Sequence, residues 1–300
     1  MSKHGTIRRY TLIIEKINRG HHPSFDEIKE YLFDHGFEIS ARTIQRDIEQ
    51  IRYEFGFEIL YNRDKNGYYI DFENCINTES FLRFLEIVNT AELLTESLSE
   101  NKDTLKYISF DNSGVFKGTE NIKPLLQAIK NNRIVTYKHF NYHTGKTNSY
   151  TLKPYLLREY QNRWYIIGTI NKNSEFRTFG LDRVQNLIIT TETFKPDKKA
   201  NPAELFENTI GVVYSYHEQQ KVILSFTSVQ GKYIKSLPLH KSQRIIIDNE
   251  DELRIELNVI PNYELSQLIL MHGETVKVIE PVWLIDEIKE TLKASLKQYK

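Results

Sequence analysis

The chain has 300 residues, 40% of them hydrophobic and 27% charged, with 40 basic side chains against 40 acidic ones. Such a make-up describes an ordinary globular protein of two or three domains and excludes a fibrous or disordered chain. It holds no run of about 18 apolar residues, the length a membrane-spanning helix needs, and the opening MSKHGTIRRYTLIIEKINRG lacks the continuous apolar stretch of a secretory signal. The one cysteine, Cys75, has no intrachain disulfide partner, so a reducing cytoplasm is the expected compartment.

In chain order, Ile7, Tyr10, Leu12, Ile13, Ile14 and Ile17 give residues 6–18 the apolar side of a helix, which Gly20 and Pro23 end. Ser24, with Glu27 three residues on, is a capping-box pattern. It opens a second predicted helix over 25–35 that buries Phe25, Ile28, Leu32 and, as a further candidate, Phe33. Ser40 caps a third, with Thr43 in its first turn. Ile44, Ile48, Ile51 and Phe55 fall within about 40° of one another at 100° per residue. Arg42 and Arg46 lie near the opposite pole, with Gln45 and Glu49 beside them, while Asp47 lies nearer the apolar edge and reads as structural. FEILYNRDKNGYYIDF then predicts two short strands about a turn ending in Asn66-Gly67.

Three helices and a hairpin make a winged helix-turn-helix layout, and its chemistry suits DNA. A recognition helix brings its N-terminal residues to base edges in the major groove. Arginine bonds guanine O6 and N7 together, and glutamine does the same for adenine N6 and N7. Ser40, Arg42, Thr43, Gln45 and Arg46 are the expected contacts, with Arg63 and Lys65 of the wing meeting phosphate. The domain's near-neutral charge, 11 basic against 12 acidic residues over 1–72, argues for modest affinity per monomer and hence for a homodimer. The stretch SARTIQRDIEQIRYEFGFEILYNRDKNGYYI resembles the N-terminal domain of DeoR-type bacterial transcription regulators, in which Ser, Thr and an Arg-Asp pair open the recognition helix and an aromatic-rich wing follows.

Residues 73–118 read as a helical connector. Over 78–100, Phe81, Phe84, Leu85, Val88, Ala91, Leu94 and Leu98 form an apolar stripe that must be covered, either by the next domain or by a second subunit. TENIKPLLQAIKNN predicts a further helix, with Pro124 tolerated in its first turn.

From Arg133 the pattern turns to β. Five short apolar or alternating runs, separated by polar turns, suggest a small, strongly bent β-barrel. Residues 117–200 carry 15 basic and 6 acidic side chains, a net +9 between segments that are net negative, which points to an anionic partner. KPYLLREYQNRWYIIGTINKNSEFRTFGLDRV closely resembles the WYL domain, an SH3- or Sm-like barrel found behind helix-turn-helix domains in bacterial regulators. Trp164-Tyr165-Ile166 stands at the name motif, with Ile for Leu, and Pro154, Arg177, Phe179 and Arg183-Val184 also match. The resemblance implies a ligand sensor that in some members binds nucleic acid or nucleotides. The charge pattern agrees: Lys138, Lys153, Arg158, Arg163, Arg177 and Arg183 surround Tyr137, His139 and Tyr165. Arginine forks suit phosphate, and aromatic faces suit bases. The expected effector residues are Tyr137, His139, Arg158, Tyr165, Arg177 and Arg183, with Trp164 in the core. His139 and His143 fall on strand and turn and do not share a face, so no metal is expected. Asp182 reads as a salt-bridge partner of a neighbouring arginine; no catalytic constellation accompanies it, and neither an enzyme nor a cofactor is expected.

Past residue 201 the elements run β-α-β-β-α-β and end in a helix, a ferredoxin-like order similar to the C-terminal extension that often follows WYL domains. This segment is acidic and more suited to dimerisation or ligand gating than to DNA contact. The sequence therefore predicts a multidomain α+β protein: a winged helix-turn-helix over 1–72, the connector over 73–118, an SH3/Sm-like barrel with its leading helix over 119–200 and a ferredoxin-like domain over 201–300. The expected function is a cytoplasmic regulator that binds a double-stranded operator as a homodimer under control of a single-stranded nucleic acid or nucleotide effector, with no membrane partner. The alternative is a nucleic-acid-binding accessory of a DNA-processing or phage-defence system that grips single strands.

Overall fold

Helix α1 (His4–Arg19) turns Tyr10, Ile13, Ile14 and Ile17 inward. Helix α2 (Phe25–Asp34) begins at a full capping box: Ser24 N–H donates to Glu27 Oε2 at 2.7 Å, and Glu27 N–H to Ser24 Oγ at 3.3 Å. Those bonds to Ser24 hold the Glu27 carboxyl below the usual range. The helix buries Ile28 and Leu32, whereas Phe33 is 62% exposed and takes no part in the core, since it lies a quarter-turn past Leu32. Helix α3 (Ala41–Phe55) closes the three-helix core with Ile44, Ile48 and Ile51 and stops at left-handed Gly56.

Strands β1 (Ile59–Asn62) and β2 (Gly67–Ile70) pair antiparallel, with Tyr61 opposite Tyr68 and Asn62 opposite Gly67. The hairpin is latched to the α1–α2 loop, where Tyr68 N–H donates to Pro23 O at 2.8 Å. At Gly67 a Cβ would lie 1.9 Å from His22 O, so only glycine allows this approach.

The computed structural model describes residues 4–75, 78–100, 106–107, 117–170, 175–197, 204, 206–213 and 218–299. The chain divides into two compact units, Met1–Asp111 and Asn112–Lys300. Helix α4 (Thr78–Glu100) belongs to the first. Its Phe81 and Leu85 are buried in the three-helix core, and Phe81 stacks on Phe55 with ring centroids 4.6 Å apart. The stripe expected to meet the next domain or a second chain is thus covered at these positions by the helical unit itself. Phe84 and Ile87 stay exposed, and the side chain of Leu98 lies outside the described residues.

In the second unit a short 3₁₀ turn leads into α5 (Ile122–Lys130), with Pro124 in its first turn. Strands β3 (Arg133–Asn141), β4 (Lys146–Tyr160), β5 (Arg163–Ile170), β6 (Phe176–Gly180) and β7 (Val184–Thr193) form one antiparallel sheet in the order β6-β5-β4-β3-β7. Register shifts between Pro154 and Leu156 on β4, and at two points on β3, bend it. Its core holds Leu125 and Ala128 of α5 with Val135, Tyr137, Leu152, Ile166, Phe179 and Leu181; Trp164 packs half-buried against them.

A second antiparallel sheet follows: β8 (Gln220–Thr227), α6 (Ser228–Ser236), β9 (Arg244–Asp248), β10 (Glu252–Val259), α7 (Tyr263–Met271), β11 (Val276–Glu280) and α8 (Val282–Lys297), with strand order β11-β8-β10-β9. Val222, Leu224, Phe226, Leu253, Ile255 and Leu257 alternate toward Ile234, Leu265, Ile269, Leu284 and Ile288 of the helices. The protein is therefore mixed α+β with antiparallel sheets. Among the described residues no helix is long and apolar enough to cross a membrane.

Candidate nucleic-acid and anion interfaces

Helix α3 begins where Ser40 leaves the extended region and its Oγ accepts the Thr43 N–H at 3.2 Å. With the isoleucines turned inward, the helical period throws Arg42, Gln45, Arg46 and Glu49 outward, and all four are exposed. Together with Ser40 and half-buried Thr43 they line a concavity of about 410 Å³. The ion pairs among the described residues of this unit engage neither Arg42 nor Arg46. Asp47 instead points inward and takes a bidentate pair from Arg9. Tyr10 OH donates to Gln50 Oε1 at 2.7 Å, a second tie between α1 and α3.

At the hairpin tip Arg63 and Lys65 are both exposed. Lys65 N–H donates to Asn62 Oδ1 at 3.0 Å, and Tyr61 OH to Asn66 Oδ1. Asn66 holds the positive φ of 51° that the turn requires. His22, in the loop latched to this hairpin, packs its ring 5.5 Å from that of Tyr69. Loss of solvation lowers its pKa, and the charges of Lys65 and His21 add to the effect.

The six expected effector residues do not share one surface. Tyr137 and His139 alternate with outward Lys138 on β3 and are 3% and 7% exposed. They sit in an aromatic cluster with Tyr150 and Phe179, so neither offers a free face to a ligand. The Tyr137 hydroxyl is buried without a hydrogen-bond partner among the described residues, and burial pushes its pKa up. His139 Nε2 lies 3.3 Å from Gly180 O; burial and then Arg183 lower its pKa. Arg158 and Tyr165 stand opposite one another on β4 and β5. They share one face of the sheet with Tyr160 and Arg163, the next paired residues two positions along, and of the four only Arg163 is exposed. Arg177 pairs with Gly168, and Tyr165 with Gly180, so Arg177 leaves the other face of the sheet, at its exposed rim. Arg183 is folded back: its Nε is 3.4 Å from Asp182 Oδ1 and its guanidinium lies 4.8 Å from the centre of the Tyr142 ring.

Two neighbours of Arg158 escape sequence reasoning. Its guanidinium lies 4.6 Å from the centre of the Phe206 ring, and its buried Nε has no hydrogen-bond partner among the described residues. Glu264, on α7, adds a buried negative charge that Arg158 senses. The Glu264 carboxylate accepts the backbone N–H groups of Val212 and Val213 at 3.0–3.1 Å and the Asn262 amide at 3.1 Å. Burial raises its pKa against those hydrogen bonds. Both residues lie 48 or more positions from Arg158 in sequence, and neither carries a local motif. Among the described residues no group of three His, Cys, Asp or Glu side chains is placed to hold a metal.

Comparisons with known proteins bear on this arrangement. An uncharacterized HTH-type transcriptional regulator of Bacillus subtilis (strain 168), YobV, is 24% identical over 299 residues, covering 88% of this chain and 91% of that protein. Among solved structures, proteasome accessory factor B/C (PafBC) of Arthrobacter aurescens is 18% identical with a TM-score of 0.33; the match covers 98% of this chain but 47% of that one, about half its length. A CRISPR Cas-related protein is 11% identical with a TM-score of 0.40, covering 99% of this chain and 85% of that one. Residues 120–189 match the WYL domain family and residues 218–296 the WCX domain family. The curled five-stranded sheet thus belongs to a WYL domain, and the four-stranded sheet with its helices to a WCX domain behind it.

Proposed function

We propose that the chain is a transcription regulator that binds duplex DNA through α3. The observation that carries this reading is the outward face of α3, where Arg42, Gln45 and Arg46 stand exposed around one concavity with no ion-pair partner among the described residues. In this reading α1–α3 and the β1–β2 hairpin form a winged helix-turn-helix, α3 enters the major groove, and Arg63 and Lys65 meet phosphate. The regulator named above, although distant, and the WYL domain both support it. The WYL sheet is read as an SH3/Sm-like barrel that senses an anionic effector, and the WCX domain as a ferredoxin-like module. The protein acts as a cytoplasmic homodimer on a two-fold operator and is a binding protein, not an enzyme.

The test is titration of a selected operator duplex with the parent and with Arg42→Ala/Arg46→Ala. Each lost bidentate contact is expected to cost about 1–3 kcal/mol, with thermal stability unchanged. Unchanged affinity in the double variant would remove α3 as the reading element. Half-sites are expected about one helical turn, or a multiple of it, apart. A monomer by light scattering that retains full operator affinity would rule out the dimer.

A second reading is favoured by one specific feature: Arg158 and Arg163 share one face of the sheet with Tyr160 and Tyr165, Arg163 exposed and the other three half-buried. Cations interleaved with aromatic faces suit a single strand. The protein would then be an accessory of a DNA-processing or phage-defence system. Binding of single strands with no measurable preference for any duplex would favour it.

A further inference from the structure

We propose that Glu49 reads a base: in the major groove its carboxylate accepts a hydrogen bond from the exocyclic amino group of a cytosine, so that each half-site carries one position where cytosine is required. The inference rests on α3 being the recognition helix.

The placement comes first. At about 100° per residue, Glu49 lies between Gln45 and Arg42 around the helix and about 60° from Arg46. It lines the same concavity as those three and is exposed. It is three residues beyond Arg46, about 4.5 Å along the axis, about a third more than the ~3.4 Å rise of one base pair.

The charge comes second. Glu49 enters none of the ion pairs among the described residues. Arg52, three residues on and able to reach back, is instead bonded to Glu58 at 3.2 Å. The other acid on the inner half of this helix, Asp47, is neutralised inside the core by Arg9. Among the described residues Glu49 is the one acid lining the concavity. A carboxylate among phosphates weakens binding to DNA in general, so its place on this face needs a compensating contact.

The base edges supply the choice. Guanine presents two acceptors in the major groove and repels a carboxylate. Thymine presents an acceptor and a methyl group. Adenine offers an amino group, but beside the N7 acceptor. Cytosine alone offers an amino donor without an adjacent acceptor.

The test is selection from randomised duplexes by the full chain and by its Glu49→Gln variant, followed by titration of the selected sites. Because Glu49 is exposed and makes no ion pair among the described residues, the variant is expected to melt with the parent. The parent is expected to enrich cytosine at one position per half-site. Glutamine bonds adenine N6 and N7, so Glu49→Gln is expected to change that position to adenine. On the cytosine site the variant is expected to lose roughly five- to a hundredfold in affinity relative to the adenine site. The same consensus for both proteins, with Glu49→Gln binding every duplex more tightly, would make Glu49 a solvated acid and overturn the proposal while leaving α3 as the reader. If the parent enriches no sequence at all, the recognition-helix reading itself falls, and this inference with it.

Discussion

Arg9 grips Asp47 with two parallel bonds, Nε to Oδ2 at 2.6 Å and Nη2 to Oδ1 at 3.0 Å, and the two side chains are 5% and 0% exposed. The pair ties α1 to the middle of α3, between Arg46 on the outer face and Ile48 in the core. Removing one partner leaves a buried charge without compensation, so Asp47→Ala or Arg9→Ala is expected to cost about 3–5 kcal/mol. Replacing both by apolar residues, Arg9→Met with Asp47→Leu, is expected to restore most of that stability. Urea unfolding of the three variants checks this; a double variant as unstable as either single one would show that shape, not charge, sets the cost.

The hairpin is held to the helices by an approach that only glycine permits. At Gly67 an added Cβ would meet His22 O at 1.9 Å, and backbone on both sides would have to move. Gly67→Ala is expected to lose about 1–3 kcal/mol, as overpacking does. It is also expected to swing the hairpin away from the loop, breaking the Tyr68–Pro23 bond. Faster hydrogen exchange at the Tyr68 amide is the direct reading; an unchanged rate would mean that the latch survives the methyl group.

Much of this unit is legible in the sequence, because its signals are local. The Ser24–Glu27 capping box, the Ser40 cap, the isoleucine period of α3 and the Asn66-Gly67 turn each involve residues a few positions apart, and each forms as expected. The element order of the WCX region follows from alternation in the same way. What escapes the sequence is non-local. The sheet register changes at the bend between Pro154 and Leu156, so counting along β4 does not tell which side Arg158 faces. The ion pair of Asp182 with its neighbour Arg183 is legible from the sequence and forms as expected, but nothing in the spacing reveals that Arg177 stands at the rim or that Arg183 also folds onto Tyr142. Phe206 and Glu264 reach Arg158 only once the chain has folded. The covering of Phe81 and Leu85 by the helical core, not by a partner, is likewise a packing outcome that a stripe alone does not specify.

Burial of His139 makes acid a specific stress on the WYL domain. Its pKa in the folded protein lies below the ordinary 6.5, because burial and the Arg183 charge oppose protonation more than Gly180 O and Asp182 favour it. Between that lowered value and 6.5 the unfolded chain binds the proton and the folded one does not, so stability falls as pH drops through this window. His139→Phe keeps the edge contacts with Phe179 and Tyr150 and removes the proton site. Its unfolding free energy is expected to fall less than the parent's below pH 6.5; other histidines of lowered pKa, such as half-buried His272, contribute equally to both proteins. Parallel pH profiles would mean that folded His139 charges as readily as the unfolded residue.

The last expectation concerns Arg158 and Arg177, which the strand register places on opposite faces of one sheet. If the WYL domain binds a polyanion, these two arginines meet different phosphates, or only one of them meets any. Residues that share no partner and lie well apart add their effects, whereas two forks on one phosphate would couple by 0.5 kcal/mol or more. Titration of a single-stranded oligonucleotide into the full chain, into Arg158→Ala, into Arg177→Ala and into the double variant closes such a cycle. The two losses are expected to add. Each arginine that neutralises a phosphate is also expected to reduce the salt slope by about 0.7 per contact. A nucleotide with one phosphate group distinguishes the faces: it is expected to lose affinity with Arg158→Ala, whose guanidinium is held over Phe206 beside Tyr165 and whose Nε has no hydrogen-bond partner among the described residues, and to be indifferent to Arg177→Ala. Strong coupling between the two would require the sheet to rearrange on binding. Oligonucleotide and nucleotide affinities unchanged in both variants would leave these arginines as braces of the fold and would end the sensor reading of this face.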